Sequence, residues 1–366
     1  MRLIKKFLKF VLVIFVLALA GLAATLAYTE KCEGTPSAVE GGMTAAFAHC
    51  YGSADVITLE KVAIPQPADD EILVQVKAAA VNPLDYHEMR GSPYIMRLMR
   101  GIGKPERASL GADFSGVVVA VGDEVTNFKP GDEVFGGSRG AFAEYLTIRA
   151  DRSIVRKPSN VSFAEAAAIP VAALTALQAL VDHGELQTGE RVLINGASGG
   201  VGTYTTQIAT ALGAEVSGVC STRNVEMVKA LGAKQVFDYK KENYTESGQK
   251  FDLIVDMVGN HSISANRDVL TDNGRLIIVG GPKGDWIAPL IYPIKALVTQ
   301  PFVNQKIASF VARLKQDDLD TLANMMAEGK LTSQIDRTYP LEQIADAIRY
   351  SESGRARGKI IVAVGE

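Results

Sequence analysis

Residues 195–202 read "NGASGGVG". They follow the apolar run "RVLI" (Arg191–Ile194) and lead into a stretch with Val201, Ile208 and Leu212 at helical spacing. A strand that enters a glycine turn and a helix that leaves it form one supersecondary unit with a physical purpose. Glycines permit the tight turn and close strand–helix packing, and the helix N-terminus offers free amides and the positive end of a dipole to a pyrophosphate. Ala197 stands where the usual G-x-G-x-x-G pattern has its first glycine, so the run kept is A-S-G-G-V-G. The candidate phosphate-cradling residues are Ser198, Gly199, Gly200, Val201 and Gly202.

The unit does not stand alone. "EVSGVC" (Glu215–Cys220), "QVFDY" (Gln235–Tyr239), "FDLIVDMV" (Phe251–Val258) and "RLIIVGG" (Arg275–Gly281) are apolar, β-branched runs, and a helix "NVEMVKALG" lies among them. With "RVLI" this makes five strands, and apolar strands alternating with helices predict a parallel sheet covered on both faces. A carboxylate about 20 residues past the turn would accept the ribose hydroxyls of NAD. That place reads "GVCSTRN", with no acid, and Ser221 with Arg223 suits a 2′-phosphate. NADPH is therefore the expected cofactor; the alternative is that Ser221 and Thr222 cap the next helix and Arg223 is solvated.

Before the sheet, from Met43 to about Pro170, short apolar runs are broken by glycine and proline. "EILVQVKAAAVNP" sets Ile72, Val74 and Val76 on one face and breaks at Pro83, and "GVVVAVG", "GDEVFG" and "AFAEYLTI" continue the pattern. This predicts an all-β, barrel-like segment. After about Gln305 a helix "DLDTLANMMAEGK", a strand "SQIDRTYP", a helix "LEQIADAIRYSESG" and a strand "KIIVAVG" return the chain to that first domain. The expected division is 1–42 anchor and tether, 43–166 catalytic β domain, 167–305 nucleotide domain, and 306–366 the return. The segment Gly284–Gln305 is apolar and broken by Pro289, Pro293 and Pro301. It reads equally as a lid, a membrane-resting surface or a dimer-contact segment, and a homodimer is left open. A formal charge of −3 with no basic stripe argues against a nucleic-acid partner.

The N-terminus is of another kind. Arg2, Lys5, Lys6 and Lys9 precede a run from Phe10 to Tyr28 that carries no charge. A bilayer core asks for about 20 apolar residues, whereas a signal-peptide apolar region has roughly 7–15. The expectation is a single-pass membrane anchor, with a cleaved signal as the alternative. Thr29–Gly42 reads as a polar tether. Positive charge before the span predicts the enzyme outside, where NADPH is not expected, so the side of the membrane is left open. The three cysteines, Cys32, Cys50 and Cys220, build neither a disulfide framework nor a four-thiolate zinc lobe; Cys32 and Cys50 are free to pair if exported.

From Met43 onward the chain resembles the zinc-independent quinone oxidoreductase (zeta-crystallin-like) branch of the medium-chain dehydrogenase/reductase superfamily. The resemblance rests on "AAAVNPLDY" (Ala78–Tyr86), "GADFSGVVVAVG" (Gly111–Gly122), "FKPGDEVFG" (Phe128–Gly136), "AAIPVAALTALQAL" (Ala167–Leu180), "TGERVLINGASGGVGTYTTQIA" (Thr188–Ala209) and "GRARGKIIV" (Gly354–Val362). Thr210, where the branch has a basic residue or serine, is a small departure. The resemblance implies an α/β protein: a GroES-like β-rich domain plus a Rossmann doubly wound sheet, here preceded by the expected transmembrane helix. It implies NADPH held through Ser198, Gly200 and Val201, with Ser221, Arg223 and Tyr239 near the adenosine phosphate and Thr175, Lys359 and Asn82 nearer the cleft.

The zinc enzymes of the superfamily carry a catalytic Cys followed by His, then Gly-His-Glu. This chain has Asn82-Pro83 and Gly111-Ala112-Asp113 there, and no set of three zinc ligands is evident. The expected activity is hydride transfer from NADPH to a small lipophilic quinone or α,β-unsaturated carbonyl. Asn82 is expected to hold the developing oxyanion, with Tyr86 as a proton source or only a packing residue. Alternatives are a zinc-type alcohol dehydrogenase, an acyl-thioester enoyl reductase and a non-catalytic NADPH-binding membrane protein.

Overall fold

The short apolar runs of the first domain become seven strands: β1 (Met43–Ala48), β2 (Ile57–Val62), β3 (Glu71–Val81), β4 (Asp113–Val121), β5 (Glu133–Gly137), β6 (Tyr145–Arg149) and β7 (Ile154–Arg156). The structure is a computed structural model that describes residues 2–32, 38–282, 284–286 and 288–365. Strand β3 organises the domain. It pairs antiparallel with β4 and β6 and buries Ile72, Val74 and Val76 on one face, as period-two alternation requires. Those side chains pack with Phe114, Val134, Phe142 and Ile154 in one core.

The second domain is a parallel sheet of β8 (Arg191–Asn195), β9 (Glu215–Cys220), β10 (Gln235–Asp238), β11 (Phe251–Asp256), β12 (Leu270–Ile278) and β13 (Lys306–Ser309). Its spatial order is β10-β9-β8-β11-β12-β13, the 3-2-1-4-5-6 order of a dinucleotide-binding sheet. Five of these strands are apolar enough to be legible. The sixth, β13, is four residues long, only one of which, Ile307, is fully buried. It lies just past residue 305, in the stretch assigned by its pattern to the returning segment.

The chain then returns to the first sheet. β14 (Ile335–Pro340) runs parallel to β15 (Lys359–Ala363), and β15 pairs antiparallel with β3, Ile360 opposite Val81. The helix Gln316–Ala327 sets Leu319, Leu322 and Met326 in the same core as Leu174 and Leu177 of the helix Pro170–Gln178.

The N-terminal run is a helix, Arg2–Ala27, whose apolar part is only 6% buried. By length and composition alone it suffices to cross a membrane, and a signal sequence passes the same test. The stretch after this helix is not a free tether. Arg97, 3% exposed, donates to the carbonyls of Leu26 and Tyr28 at 2.9 Å each and so caps the end of the helix. Its guanidinium lies between the rings of Tyr51 and Tyr94, at 4.3 and 4.4 Å. Glu30 bonds Gly103 through its backbone and Lys104 through its carboxylate, and Cys32 forms a disulfide with Cys50. Further on, Val39 N donates to Lys61 O at the edge of β2. Residues 33–37 of the expected tether lie outside the described residues.

Candidate active site

The glycine turn is built as its sequence requires. Gly196 has φ +94°, a left-handed conformation natural to glycine. A Cβ on Gly202 would lie 2.1 Å from the Gly196 carbonyl, so the helix Gly200–Ala211 packs onto the turn only because that residue is glycine. Gly199 caps this helix, and a Cβ there would meet nothing nearer than 3.5 Å. The turn is thus tight on its inner side and open on its outer side, at the amino end of a 12-residue helix. This is the shape of an anion cradle.

Beside the cradle, Asn224 donates to Ser198 Oγ at 2.9 Å and to Ser221 Oγ at 3.3 Å. Its own Oδ1 is buried without a hydrogen-bond partner. A buried acceptor without a donor is costly, and a ligand hydroxyl is the kind of group that fits it. Arg223 donates to the Arg355 carbonyl at 2.7 Å and remains exposed, and Tyr239 is 59% exposed. No acid lies at the end of β9, but Asp238 ends β10 close by. Its carboxylate accepts from Thr222 at 2.7 Å and pairs with Lys241, contacts that hold it below the usual carboxylate range.

The opposite wall comes from the β domain. Gly358 N donates to the Ser198 carbonyl at 3.0 Å, which brings β15 against the turn and sets Lys359 beside Gly200. The Lys359 ammonium donates to Asn82 Oδ1 at 2.6 Å and lies 3.4 Å from Asp113 Oδ2. Asn82 Nδ2 donates to the same Asp113 oxygen at 2.9 Å and reaches the Ala80 carbonyl at 3.4 Å. Asp113 Oδ1 accepts from Val171 N at 3.0 Å. Asn82, Asp113 and Lys359 are 2%, 0% and 3% exposed. Burial raises the Asp113 carboxyl even against the Lys359 charge.

Asn82 also caps the helix Pro83–Arg90, its N–H donating to Asp85 at 2.6 Å. Full burial pushes the Asp85 carboxyl up to about 8, although the Asn82 N–H favours its charged form. Tyr86, one turn along, is half-buried against His87, and burial, then Glu352, raises its phenol.

The structure therefore brings the Ser198–Gly200 turn against Lys359 and, through it, Asn82, with Ser221 joined to Ser198 through Asn224 and Arg223 beside it. Two roles read differently once side chains are placed. The amide donors of Asn82 are spent on Asp113 and Ala80, so the donor expected toward an acceptor oxygen is engaged inside the protein. The Thr175 hydroxyl turns back onto the Val171 carbonyl at 2.6 Å. Asp113, Asp85 and Asn224 escape sequence reasoning. An aspartate opening the otherwise apolar β4 is the one signal that points to Asp113. Among the described residues no three His, Cys, Asp or Glu side chains are gathered as a metal would need.

A nucleotide cradle at the carboxyl end of a doubly wound sheet, facing a β domain made from both ends of the chain, defines a pyridine-nucleotide oxidoreductase of the medium-chain type. The comparisons place it more narrowly. Residues 68–159 match the family described as alcohol dehydrogenase GroES-like domain, and residues 231–362 the one described as zinc-binding dehydrogenase. The chain is 35% identical over 320 residues to the chloroplast envelope quinone oxidoreductase homolog of Arabidopsis thaliana, covering 82% of this chain and 92% of that one. It is 31% identical over 327 residues to the NADPH-dependent alkenal/one oxidoreductase, chloroplastic, of the same plant, covering 85% and 77%. The quinone oxidoreductase of Coxiella burnetii superposes with a TM-score of 0.78 at 30% identity, over 88% of this chain and 99% of that one. The chain belongs to the zinc-independent quinone oxidoreductase branch of the medium-chain dehydrogenase/reductase superfamily.

These relatives also correct the expected location. Both Arabidopsis proteins, and the quinone-oxidoreductase homolog of Spinacia oleracea, are named for the chloroplast. A long apolar helix near an N-terminus is weak evidence for a span, so the single-pass, membrane-anchored location does not stand.

Proposed function

We propose that this protein uses NADPH to reduce a quinone or an alkene conjugated to a carbonyl, without zinc. One observation carries the reading: the Gly358–Ser198 bond sets an open phosphate cradle directly against the buried Asn82–Asp113–Lys359 cluster. The names of the Arabidopsis relatives, one a quinone and one an alkenal/one oxidoreductase, support the acceptor class.

The amides around Ser198, Gly199, Gly200, Val201 and Gly202 would hold the pyrophosphate. Ser221, Arg223 and Tyr239 would hold the adenosine 2′-phosphate, and Asn224 Oδ1 would take a ribose hydroxyl. When bound, the reduced nicotinamide supplies hydride. The chain supplies the rest. As the acceptor is reduced, negative charge grows on its carbonyl oxygen, and Lys359 is the buried cation of the crevice, held by Asn82 and Asp113 for that charge. Asn82 acts by fixing the ammonium. Tyr86 is the proposed proton source for the reduced acceptor; burial raises its phenol, so it releases the proton only to a strongly basic enolate or hydroquinone anion. Thr175, with its hydroxyl turned inward, contributes the wall of the crevice. Electron-poor acceptors suit a site that supplies one positive charge and no gathered metal ligands.

The test is a panel of 1,4-naphthoquinone, but-3-en-2-one, crotonyl-coenzyme A and cyclohexanone, each with NADPH and with NADH. Turnover of the first two with NADPH is expected. Arg223→Ala should weaken NADPH about tenfold, the loss of one charge-assisted contact to phosphate, and leave NADH unchanged. A preference for NADH would assign Asp238 to the ribose hydroxyls instead. Turnover of the thioester alone would assign the enzyme to acyl reduction.

A further inference from the structure

Apart from the crevice, the β domain holds a cavity of about 300 Å³, a size that takes a small organic molecule. Neither the glycine turn nor Asn82, Asp113 or Lys359 lines it. One wall is the last turn of the helix Pro83–Arg90, with Glu88 and Met89, so the cavity lies at the end of that helix away from Asn82. The other walls are Ala48 at the end of β1, the segment 99–110 and Arg139. These walls are held from behind. Ala48 N donates to the Ala108 carbonyl at 2.8 Å, Leu110 N to the Ala46 carbonyl at 3.2 Å, and Glu106 N to the Arg100 carbonyl at 2.7 Å.

The cavity is graded from floor to rim. Ala48, Met89 and Leu110 are 1%, 1% and 6% exposed and make an apolar floor. Arg100 and Arg139 are half-buried above it, and Arg107 is exposed. Glu88 Oε1 lies 2.9 Å from Arg100 and 3.2 Å from Arg139. One carboxylate oxygen thus serves two guanidiniums, each of which carries five N–H donors. Among the described residues no ion pair engages Arg107 and no hydrogen bond engages the Ser109 hydroxyl, and both line the cavity. Glu106 is the second acid of the lining, so three arginines against two glutamates leave one net positive charge.

We propose that this cavity is a second ligand site, which takes a small organic carboxylate. The apolar body of the ligand lies over Met89 and Leu110, and its carboxylate meets Arg107 and Ser109 at the rim. The two oxygens of a carboxylate match the fork of a guanidinium, and a methionine in the floor adapts to the shape of an apolar chain. A bare anion would leave the floor empty, and a cation would meet three guanidiniums at the entrance. The site is independent of the hydride transfer proposed above, and its test reads binding rather than turnover.

Octanoate is the probe, titrated calorimetrically into the full chain with and without saturating NADP⁺. Saturable binding, one octanoate per chain and equal in the two conditions, is expected. Octan-1-ol, octylamine and acetate should each bind about tenfold more weakly or not at all. Arg107→Ala should weaken octanoate about tenfold, the loss of one charge-assisted contact, and Arg107→Lys should recover part of that. Ser109→Ala should weaken it by a smaller factor. Arg107 belongs to neither the crevice nor a described ion pair, so the melting temperature of Arg107→Ala should match the native protein's. Octan-1-ol, octylamine or acetate binding as tightly as octanoate would overturn the assignment. So would an octanoate affinity that Arg107→Ala leaves unchanged, or octanoate displaced by NADP⁺, which would seat it in the crevice.

Discussion

A carboxyl group shut away from water keeps its proton to higher pH than an exposed one, and Asp85 is such a group, pushed up to about 8. The unfolded chain gives this proton up near pH 4. Unfolding between about pH 4 and pH 8 therefore releases a proton, and stability falls as pH rises through that window. Asp85→Asn keeps an acceptor for the Asn82 N–H and cannot ionise. From pH 5 to 8 its melting temperature should not show the decline that Asp85 gives the native protein, as calorimetry at several pH values would read; parallel curves would show that Asp85 does not bury a proton. At this scale the sequence was only half legible. Asn82 and Lys359 stand out as polar residues in apolar surroundings, but they meet 277 positions apart. Asp113, which binds both, is 31 from one and 246 from the other. Nothing local in the chain encodes those meetings, and so Asn82 reads as a free donor until its partners are placed.

Elements that look like connectors hold much of the architecture. The stretch after the N-terminal helix is polar and rich in turn residues, and composition alone makes it a tether. In the fold it is fastened by Arg97, whose bonds to Tyr28 and Leu26 span 69 and 71 residues, and by the Cys32–Cys50 disulfide. Arg97 also donates to the Arg90 and Gly91 carbonyls at the end of the helix that Asn82 begins, so the same side chain steadies the strap and the end of that helix. A crosslink between residues 18 apart contributes about 3 kcal/mol by loop-closure entropy. Treatment with a dithiol should raise the reactive thiol count and lower the melting temperature by a few degrees, and Cys50→Ala should reproduce the shift without reductant. A melting temperature that ignores both changes would mean that the strap adds nothing to stability. Strand β13 marks the same limit of sequence reading: a short edge strand with one fully buried residue carries too little periodicity to be seen, while the long apolar β8, β11 and β12 are plain.

Over the whole molecule, the chain leaves the β domain, builds the nucleotide sheet, and comes back to lay β15 against β3. That return sets Gly358 on the glycine turn and Lys359 on Asn82, so the crevice needs both ends of the folded chain. The fold class and the cradle were legible because strand–turn–helix units are written locally. The strap, the cavity beside Glu88 and the Asp113 partnership were not, because they arise only when distant segments pack. In the proposed reaction hydride passes from NADPH to a conjugated acceptor, and Lys359, not zinc, meets the charge. The decisive measurement is the reduction of an enone with NADPH deuterated at the transferred position, with and without a strong metal chelator. One deuterium at the β-carbon of the product, formed at an undiminished rate, is the predicted result. Product without deuterium, or turnover that stops with chelator and returns with zinc, would contradict it.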